Sequence, residues 1–386
     1  MCSSDLCLLC FWCYTMVDSF SAVNDLASQK SAPFNNLDKK FMRRALALAK
    51  KGWGHVASNP MVGCVIAKGS EIIAEGYHQE YGGGHAEVQA LGQLKKVPQG
   101  ATMYVTLEPC SHHGKTPPCV DAIIKSGIQR VVIGASDPNP KAAGGALTLS
   151  NYSVVCQTGL MADQSKSLNR AFFIMLEKQR PMIALKMAST LNGYIARSDG
   201  SSQWITSLEA RKRVHYLRGG YQAILVGNET LLKDNPRLDC RFYNLPNPAR
   251  ICIDRHGRLP AALNIFNEGK VFYFSHSFRT DLPSHIQQVY LEDISSYEMI
   301  VSQVLDYLLQ AGINSLFVEG GAKLASLLID LGLVDYGYLF FGGKYFRPGG
   351  ANAFAGSIER GFAIEKVSKL GNSVLLEGVF ECSQEL

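Results

Sequence analysis

The chain of 386 residues is 47% apolar and 18% charged, enough to bury one large core or two ordinary ones, and its length favours two domains. A formal charge of +5 without a long run of Lys or Arg argues against a nucleic-acid partner and is compatible with phosphorylated small molecules as ligands. The 11 cysteines are odd in number and not spaced as a disulfide framework, so reduced thiols in a cytoplasmic enzyme are expected.

Cys2, Cys7, Cys10 and Cys13 crowd the N-terminus. The run CLLCFWCYTMV is too short to span a bilayer and has neither a basic lead nor a small-residue cleavage site, so no membrane partner is expected. Cys7-x-x-Cys10 and Cys10-x-x-Cys13 are metal-like spacings, but no histidine or second knuckle follows them. Residues 1–36 are therefore read as a disordered extension, with folded sequence beginning near Leu37.

Asp38 is expected to cap a helix whose apolar residues Phe41, Met42, Ala45, Leu46 and Ala49 recur at helical spacing. Two strand-like runs follow, MVGCVIA and EIIAEGYH, joined by Lys68-Gly69-Ser70. A helix from about His85, a strand TMYVTL, a helix CVDAIIKSG and a strand RVVIGA come next, which implies an α/β layer with a mainly parallel part. MADQSKSLNRAFFIMLEKQRP reads as one connecting helix that stops before Pro181. From there MIALKMA, QAILVG, RICID, KVFYFS, SLFVEGG and YGYLFF are strand candidates of a second α/β series. The predicted division is thus a first domain over 37–180 and a second over 181–386.

In the first domain His85 and Glu87 open a predicted helix, Cys110 follows a strand and Cys119 opens the next helix. One imidazole and two thiols are three zinc ligands, and helix N-termini favour the thiolate form that binds metal. No fourth protein ligand is offered locally, so the remaining position is assigned to water, the arrangement that separates catalytic from structural zinc. Glu87 is the expected proton shuttle: zinc deaminases pair His-x-Glu with a downstream Pro-Cys-x-x-Cys, the glutamate not being a ligand. Here the first half matches, whereas eight residues separate the cysteines. His112 and His113 adjoin Cys110 and are read as shaping the loop, outside the metal shell.

NPMVGCVI, EGYH, HAEV and EPCSHHGKTPPC together resemble the deaminase domain of the bifunctional riboflavin-biosynthesis deaminase-reductase family, and SDPNP and LNRAFF extend the likeness. That resemblance implies a cytidine-deaminase-like zinc domain in which Asn59, His78 and Lys115 contact substrate. Gly84 departs from the family's usual proline before the histidine.

The second domain has no Gly-x-Gly-x-x-Gly after a strand, so a standard Rossmann fold is not supported. KMASTLNG, SQWITSLEARKRVHYLR, AILVGNETLLKDNPRLDCR and VEGGAKL resemble the family's reductase domain, which implies a dihydrofolate-reductase-like fold using NADPH. By position, the resemblance places Ser202, Arg218, Leu238 and Arg241 at the substrate phosphate and ribose. It places Ala188, Trp204, Thr230, Asp234, Gly321, Ala322, Lys323 and Leu324 on the cofactor side, and Glu319 with Lys186 near the reacting carbon. Lys186, Asp234 and Glu319 are all available to deliver a proton. Asn192 and Tyr336 stand where the family usually has aspartate and glutamate, and FFGGKYF lacks a usual proline.

The resemblance implies hydrolytic deamination of 2,5-diamino-6-ribosylamino-4(3H)-pyrimidinone 5′-phosphate with Zn2+, then NADPH-dependent reduction of the ribosyl chain to ribityl, in a homodimer. One alternative is a zinc nucleoside or RNA deaminase with a non-catalytic second domain, against which the absence of aromatic-basic clusters counts. Another is a non-catalytic protein with structural zinc, which requires the missing fourth ligand.

Overall fold

The computed structural model describes residues 33–113, 117–353 and 360–381. The N-terminal cysteine pairs and Lys115 lie outside the described residues. The first sheet has five strands in the order β2-β1-β3-β4-β5. They are β1 (Gly63–Lys68), β2 (Glu71–Tyr77), β3 (Thr102–Leu107), β4 (Arg130–Ala135) and β5 (Val155–Thr158). β1 pairs antiparallel with β2 and β3, whereas β3, β4 and β5 run parallel. Alternate residues of β1 enter different cores, Cys64 and Ile66 on one face, Val65 and Ala67 on the other. Burial on both faces is why this strand reads as an unbroken apolar run.

The opening helix α1 (Asn36–Ala49) is capped by Asn35, not by Asp38. Asp38 sits one turn in, where its carboxylate accepts from Asn35 N at 3.0 Å while Asn35 Oδ1 accepts from Asp38 N at 2.9 Å, a reciprocal capping box. The same carboxylate receives Arg130 Nη1 at 2.8 Å and Tyr104 OH at 2.8 Å, tying α1 to β4 and β3. Around the sheet lie α2 (Ala86–Leu91), α3 (Cys119–Ser126) and α4 (Gly145–Asn151).

The connecting segment is two helices where one is predicted: α5 (Ala162–Leu168) and α6 (Arg170–Lys178). The break is at Asn169, whose Oδ1 accepts from Met61 N at 2.7 Å and whose Nδ2 donates to Met61 O at 3.0 Å. A buried amide satisfied by another segment's backbone fixes the chain in a bend that helical periodicity does not reveal. After α6, Asp335 receives Lys178 Nζ at 2.8 Å and both Arg180 Nη atoms at 2.7 and 2.8 Å, fastening the connection to the second sheet.

That sheet has nine strands in the order β11-β10-β9-β8-β12-β6-β13-β16-β15. All six strand candidates are found, as β6 (Met182–Thr190), β8 (Ala223–Leu225), β9 (Ala249–Ile253), β10 (Val271–Ser275), β12 (Ser315–Glu319) and β13 (Tyr336–Gly342). With β11 (Gln287–Tyr290) they run parallel, and β16 (Ser373–Phe380) and β15 (Phe362–Leu370) add an antiparallel hairpin. A separate pair joins β7 (Tyr194–Ala196) to β14 (Ala351–Asn352). The helices of this part of the chain include α7 (Leu208–Arg218), α8 (Asn228–Asp234), α9 (Tyr297–Gln310) and α10 (Ala322–Asp330). Along β12, Phe317 enters one core while Leu316 and Val318 enter the other, leaving Glu319 at the strand's carboxyl end. No helix among the described residues is long and apolar enough to cross a membrane.

Candidate active sites

The three predicted ligands meet where β3 and two helix starts converge. His85 is the N-cap of α2, Cys119 is the first residue of α3, and Cys110 follows β3 by a short loop. Their ligand atoms all lie within 4.8 Å of one another, with His85 Nδ1 at 3.1 Å from Cys119 Sγ and 3.5 Å from Cys110 Sγ. Neighbouring ligand atoms around a tetrahedral zinc lie roughly 3.5 Å apart given Zn–S and Zn–N bond lengths, so the donor set fits that ion in type and spacing.

The electrostatics point the same way. The Cys110 thiol is held well below its usual value, chiefly by a hydrogen bond from Cys119 and then by His85. Cys119 N also donates to Cys110 Sγ at 3.3 Å, so the amide at the start of α3 supports the thiolate of Cys110. Glu87, 3% exposed, projects from the first turn of α2, and burial pushes its carboxyl up to about 7. His112 and His113 are exposed and outside the cluster.

Asn59 and His78 are brought together beside it. Asn59 Nδ2 lies 3.1 Å from His78 Nε2, His78 Nδ1 lies 3.2 Å from Gly84 O, and the His78 and His85 rings meet edge to face at 5.7 Å. An amide nitrogen can only donate and a carbonyl can only accept, so His78 carries its proton on Nδ1. Burial lowers its pKa, which keeps the ring neutral. A residue missed from the sequence is Glu108: Oε2 accepts from Asp137 N at 3.2 Å and Oε1 from Ala146 N at 3.0 Å, clamping the loop that flanks Cys110. Its signal lay inside EPC, read only as a family block.

The second constellation lies at the carboxyl end of the parallel strands, where open α/β sheets place their ligands. Glu319 of β12 is in register with Lys186 of β6. Arg218, the last residue of α7, reaches Glu319 through Nε at 2.5 Å and Nη2 at 3.0 Å and donates from Nη1 to Asp239 O at 3.1 Å. Lys186 Nζ stands 3.8 Å from Glu319 Oε2. Burial pushes the Glu319 carboxyl up, but Arg218 and Lys186 outweigh it and hold it below the usual range. Burial likewise weakens the hold of Lys186 on its proton. Arg218 is therefore not a solvated charge but half of a buried forked pair, and half-exposed Arg241, bonded to Asp239 Oδ1 at 2.7 Å, is the more accessible arginine. Leu238 is 2% exposed with its side chain in the core, so only its main chain can face a ligand.

On the side that the resemblance assigns to the cofactor, Gly227 and Gly321 are the N-caps of α8 and α10, which follow the adjacent strands β8 and β12. A Cβ on Gly321 would lie 3.8 Å from Thr230 Oγ1 and one on Gly227 3.8 Å from Leu324 Cβ, with nothing nearer in either case. This cradle of unsubstituted backbone suits a diphosphate. Lys323 Nζ bonds Glu229 Oε1 at 2.5 Å across it. Asp234 ends α8 near enough to favour charged Lys186, and Ala188 lies on β6. Ser202 and Trp204 lie on the loop before α7, the Trp204 ring covered by the Arg211 guanidinium at 4.0 Å.

Two departures from the family pattern are accounted for. Asn192 Oδ1 accepts from Thr190 Oγ1 at 2.8 Å and Phe346 N at 3.2 Å, and its Nδ2 donates to Phe346 O at 2.7 Å, a bond aspartate could not make. Tyr336 lies under the Arg170 guanidinium at 4.4 Å and donates to Glu365 Oε2 at 3.2 Å.

Residues 35–135 match the cytidine and deoxycytidylate deaminase zinc-binding region, and residues 181–374 match the RibD C-terminal domain. The riboflavin biosynthesis protein RibD of Actinobacillus pleuropneumoniae is 42% identical over 306 residues, covering 77% of this chain and 81% of its own. The chain belongs to the RibD family. As a RibD it is a bifunctional deaminase and reductase of riboflavin biosynthesis, zinc-binding in the first half and NADPH-dependent in the second. RibD of Aquifex aeolicus is 37% identical over 88% of this chain and 98% of its own. The solved diaminohydroxyphosphoribosylaminopyrimidine deaminase/5-amino-6-(5-phosphoribosylamino)uracil reductase of Thermotoga maritima superposes with TM-score 0.82 at 40% identity, covering 89% of this chain and 98% of its own. RibD of Acinetobacter baumannii gives 0.81 at 32%, covering 90% and 99%.

Proposed function

We propose that residues 37–180 hydrolyse the amino group from 2,5-diamino-6-ribosylamino-4(3H)-pyrimidinone 5′-phosphate and that residues 181–386 reduce the ribosyl chain of the product to ribityl. The observation that carries the reading is the convergence of His85, Cys110 and Cys119 beside buried Glu87, on one chain with the Arg218–Glu319–Lys186 cluster.

A zinc ion held by His85, Cys110 and Cys119 would supply a Lewis acid that makes water nucleophilic at neutral pH. Glu87 takes the proton that the attacking water loses and passes it to the departing amine, so that amine plus water become ring carbonyl plus ammonia. Its raised pKa suits a group that must both accept and release a proton near neutrality. Asn59 orients the pyrimidine through its remaining amide hydrogen-bonding groups, and His78, whose proton is committed to Gly84 O, holds Asn59 in place and meets the substrate through its ring, with Lys115 meeting the phosphate.

In the second unit NADPH would supply a hydride to the ribosyl carbon. The opening sugar oxygen then needs a proton. Glu319 is held ionised by Arg218 and Asp234 stands exposed at a helix end, which leaves Lys186, an ammonium whose proton is loosened by burial, as the donor. Arg241 and Ser202, with Arg218 and the main chain at Leu238, hold phosphate and ribose. Ala188, Trp204, Thr230 and the turn Gly321, Ala322, Lys323 and Leu324 hold the cofactor. The working form is a cytoplasmic homodimer joined through the second unit, where edge strand β15 exposes Ile364 and Val367, an apolar edge that folded proteins usually cover.

A coupled assay on the zinc-loaded chain tests the reading: ammonia release from the diaminopyrimidine ribosyl phosphate, followed by NADPH oxidation. No ammonia would refute the first half; ammonia without NADPH oxidation would refute the second.

A further inference from the structure

One segment of the first unit reaches both sites. At one end Asn59 meets His78; at the other, Trp53 docks on the carboxyl end of α7, with both residues lining a cleft of ≈ 620 Å³ between the units. Trp53 Nε1 donates to Tyr216 O at 3.3 Å, and its ring stacks on the Tyr216 ring at 5.8 Å with the planes 11° apart. It also meets Tyr221 edge-on at 6.1 Å. Gly220 lies so close that an added Cβ would fall 1.8 Å from Trp53 Cζ2. Asn314 Nδ2 donates to Ser58 O at 3.0 Å, a second tie along the same segment.

The residues Trp53 touches bracket Arg218. Tyr216 precedes it, Gly220 and Tyr221 follow it, and Tyr221 stacks at 5.0 Å on Phe317, two residues before Glu319 on β12. Both partners of the Arg218–Glu319 pair are thus braced by side chains that rest against a ring from the other unit. A ring stacked on Tyr216, hydrogen-bonded to its main chain and closely approached by Gly220 has little freedom, so it sets the height and rotation of the helix end.

We infer that Trp53 is an interdomain positioning residue for the reductase: through Tyr216, Gly220 and Tyr221 it fixes the forked pair Arg218–Glu319 from the deaminase side. The inference rests on the reductase reading above. It makes reductase turnover depend on how the first unit is seated, without any contact between Trp53 and substrate.

The test uses the full zinc-loaded chain and follows NADPH oxidation with the deaminated pyrimidine supplied directly, alongside ammonia release from the same sample. Trp53→Ala and Gly220→Ala each lower reductase kcat/KM by roughly tenfold or more, as ångström-scale misplacement of a catalytic group does. Trp53→Phe, which keeps a stacking ring, recovers to within about threefold of wild type, and Gly220→Ala leaves ammonia release unchanged. In the double variant the added methyl has no ring to strike, so its loss is no greater than that of Trp53→Ala alone, a non-additivity that plain destabilisation does not produce. Wild-type reductase kinetics in Trp53→Ala, or losses that multiply in the double variant, would overturn the inference. A wild-type chain that fails to oxidise NADPH would overturn it together with the reductase reading.

Discussion

Replacing Glu87 by glutamine opposes activity and stability in the deaminase, and both magnitudes follow from its burial. Glutamine keeps the shape of the neutral carboxyl but neither accepts nor releases a proton. Losing a positioned acid-base group costs roughly 10²- to 10⁴-fold in rate, or about 3–5 kcal/mol of barrier. Stability should move the other way. Burial raises this carboxyl from 4.5 to about 7, and a rise of that size corresponds to about 3 kcal/mol disfavouring the ionised form in the folded protein. Because the folded-state value lies above the unfolded one, the metal-free wild type loses stability as pH rises from 4.5 to about 7, and Glu87→Gln does not. Ammonia release is measured on zinc-loaded protein, and urea unfolding at pH 4 and pH 8 on chelated protein. Near-equal stability at pH 4 and a gain approaching ~3 kcal/mol for the variant at pH 8 are expected. Ammonia release above about a tenth of wild type would rule out Glu87 as the shuttle; a variant less stable than wild type at pH 8 would show that the carboxylate is paired rather than isolated.

Removing zinc with a chelator, or changing Cys119 to serine, should abolish ammonia release while NADPH oxidation with supplied deaminated substrate continues. Loss of both activities would mean that the units do not operate independently of the metal. Arg218→Lys keeps the charge but loses the fork to Glu319 and the bond to Asp239 O, so reductase kcat/KM should fall by roughly 10²-fold with ammonia release intact. Unaltered reductase kinetics would count against the pair. Asp38 is held below its usual range: burial opposes this, but the bonds from Arg130, Asn35 and Tyr104 prevail. Its contribution is therefore present above about 4 and lost as pH falls through the folded-state value. Asp38→Asn should be less stable than wild type at pH 7, with the gap closing on acidification; a gap independent of pH would assign its role to the cap alone.

Much of the first site is legible in the sequence. His85, Glu87, Cys110 and Cys119 each announce a residue type that carries chemistry, and each sits at a boundary where apolar periodicity changes, so element type and candidate ligands came together. All six strand candidates of the second unit were found because strands buried on both faces read as continuous apolar runs. β15 was not, because its apolar Ile364 and Val367 are separated by Glu365 and Lys366 on a strand with five consecutive exposed residues, a spacing that is neither a continuous run nor an alternation.

What local pattern could not supply were decisions made by partners distant in the chain. Asp38 reads as a cap because an acidic residue stands before a helical repeat, yet Asn35 takes that place and Asp38 turns to Arg130, 92 residues away. The bend at Asn169 depends on Met61, and the state of Arg218 depends on Glu319. Residue types and short-range spacing determined which chemistry this chain can perform, because ligand identity and strand burial are written in neighbouring positions. Only the tertiary structure decided which charges are paired, which carboxyl is buried deeply enough to keep its proton and which ring braces the second site, because desolvation and long-range contact exist only once the chain is packed.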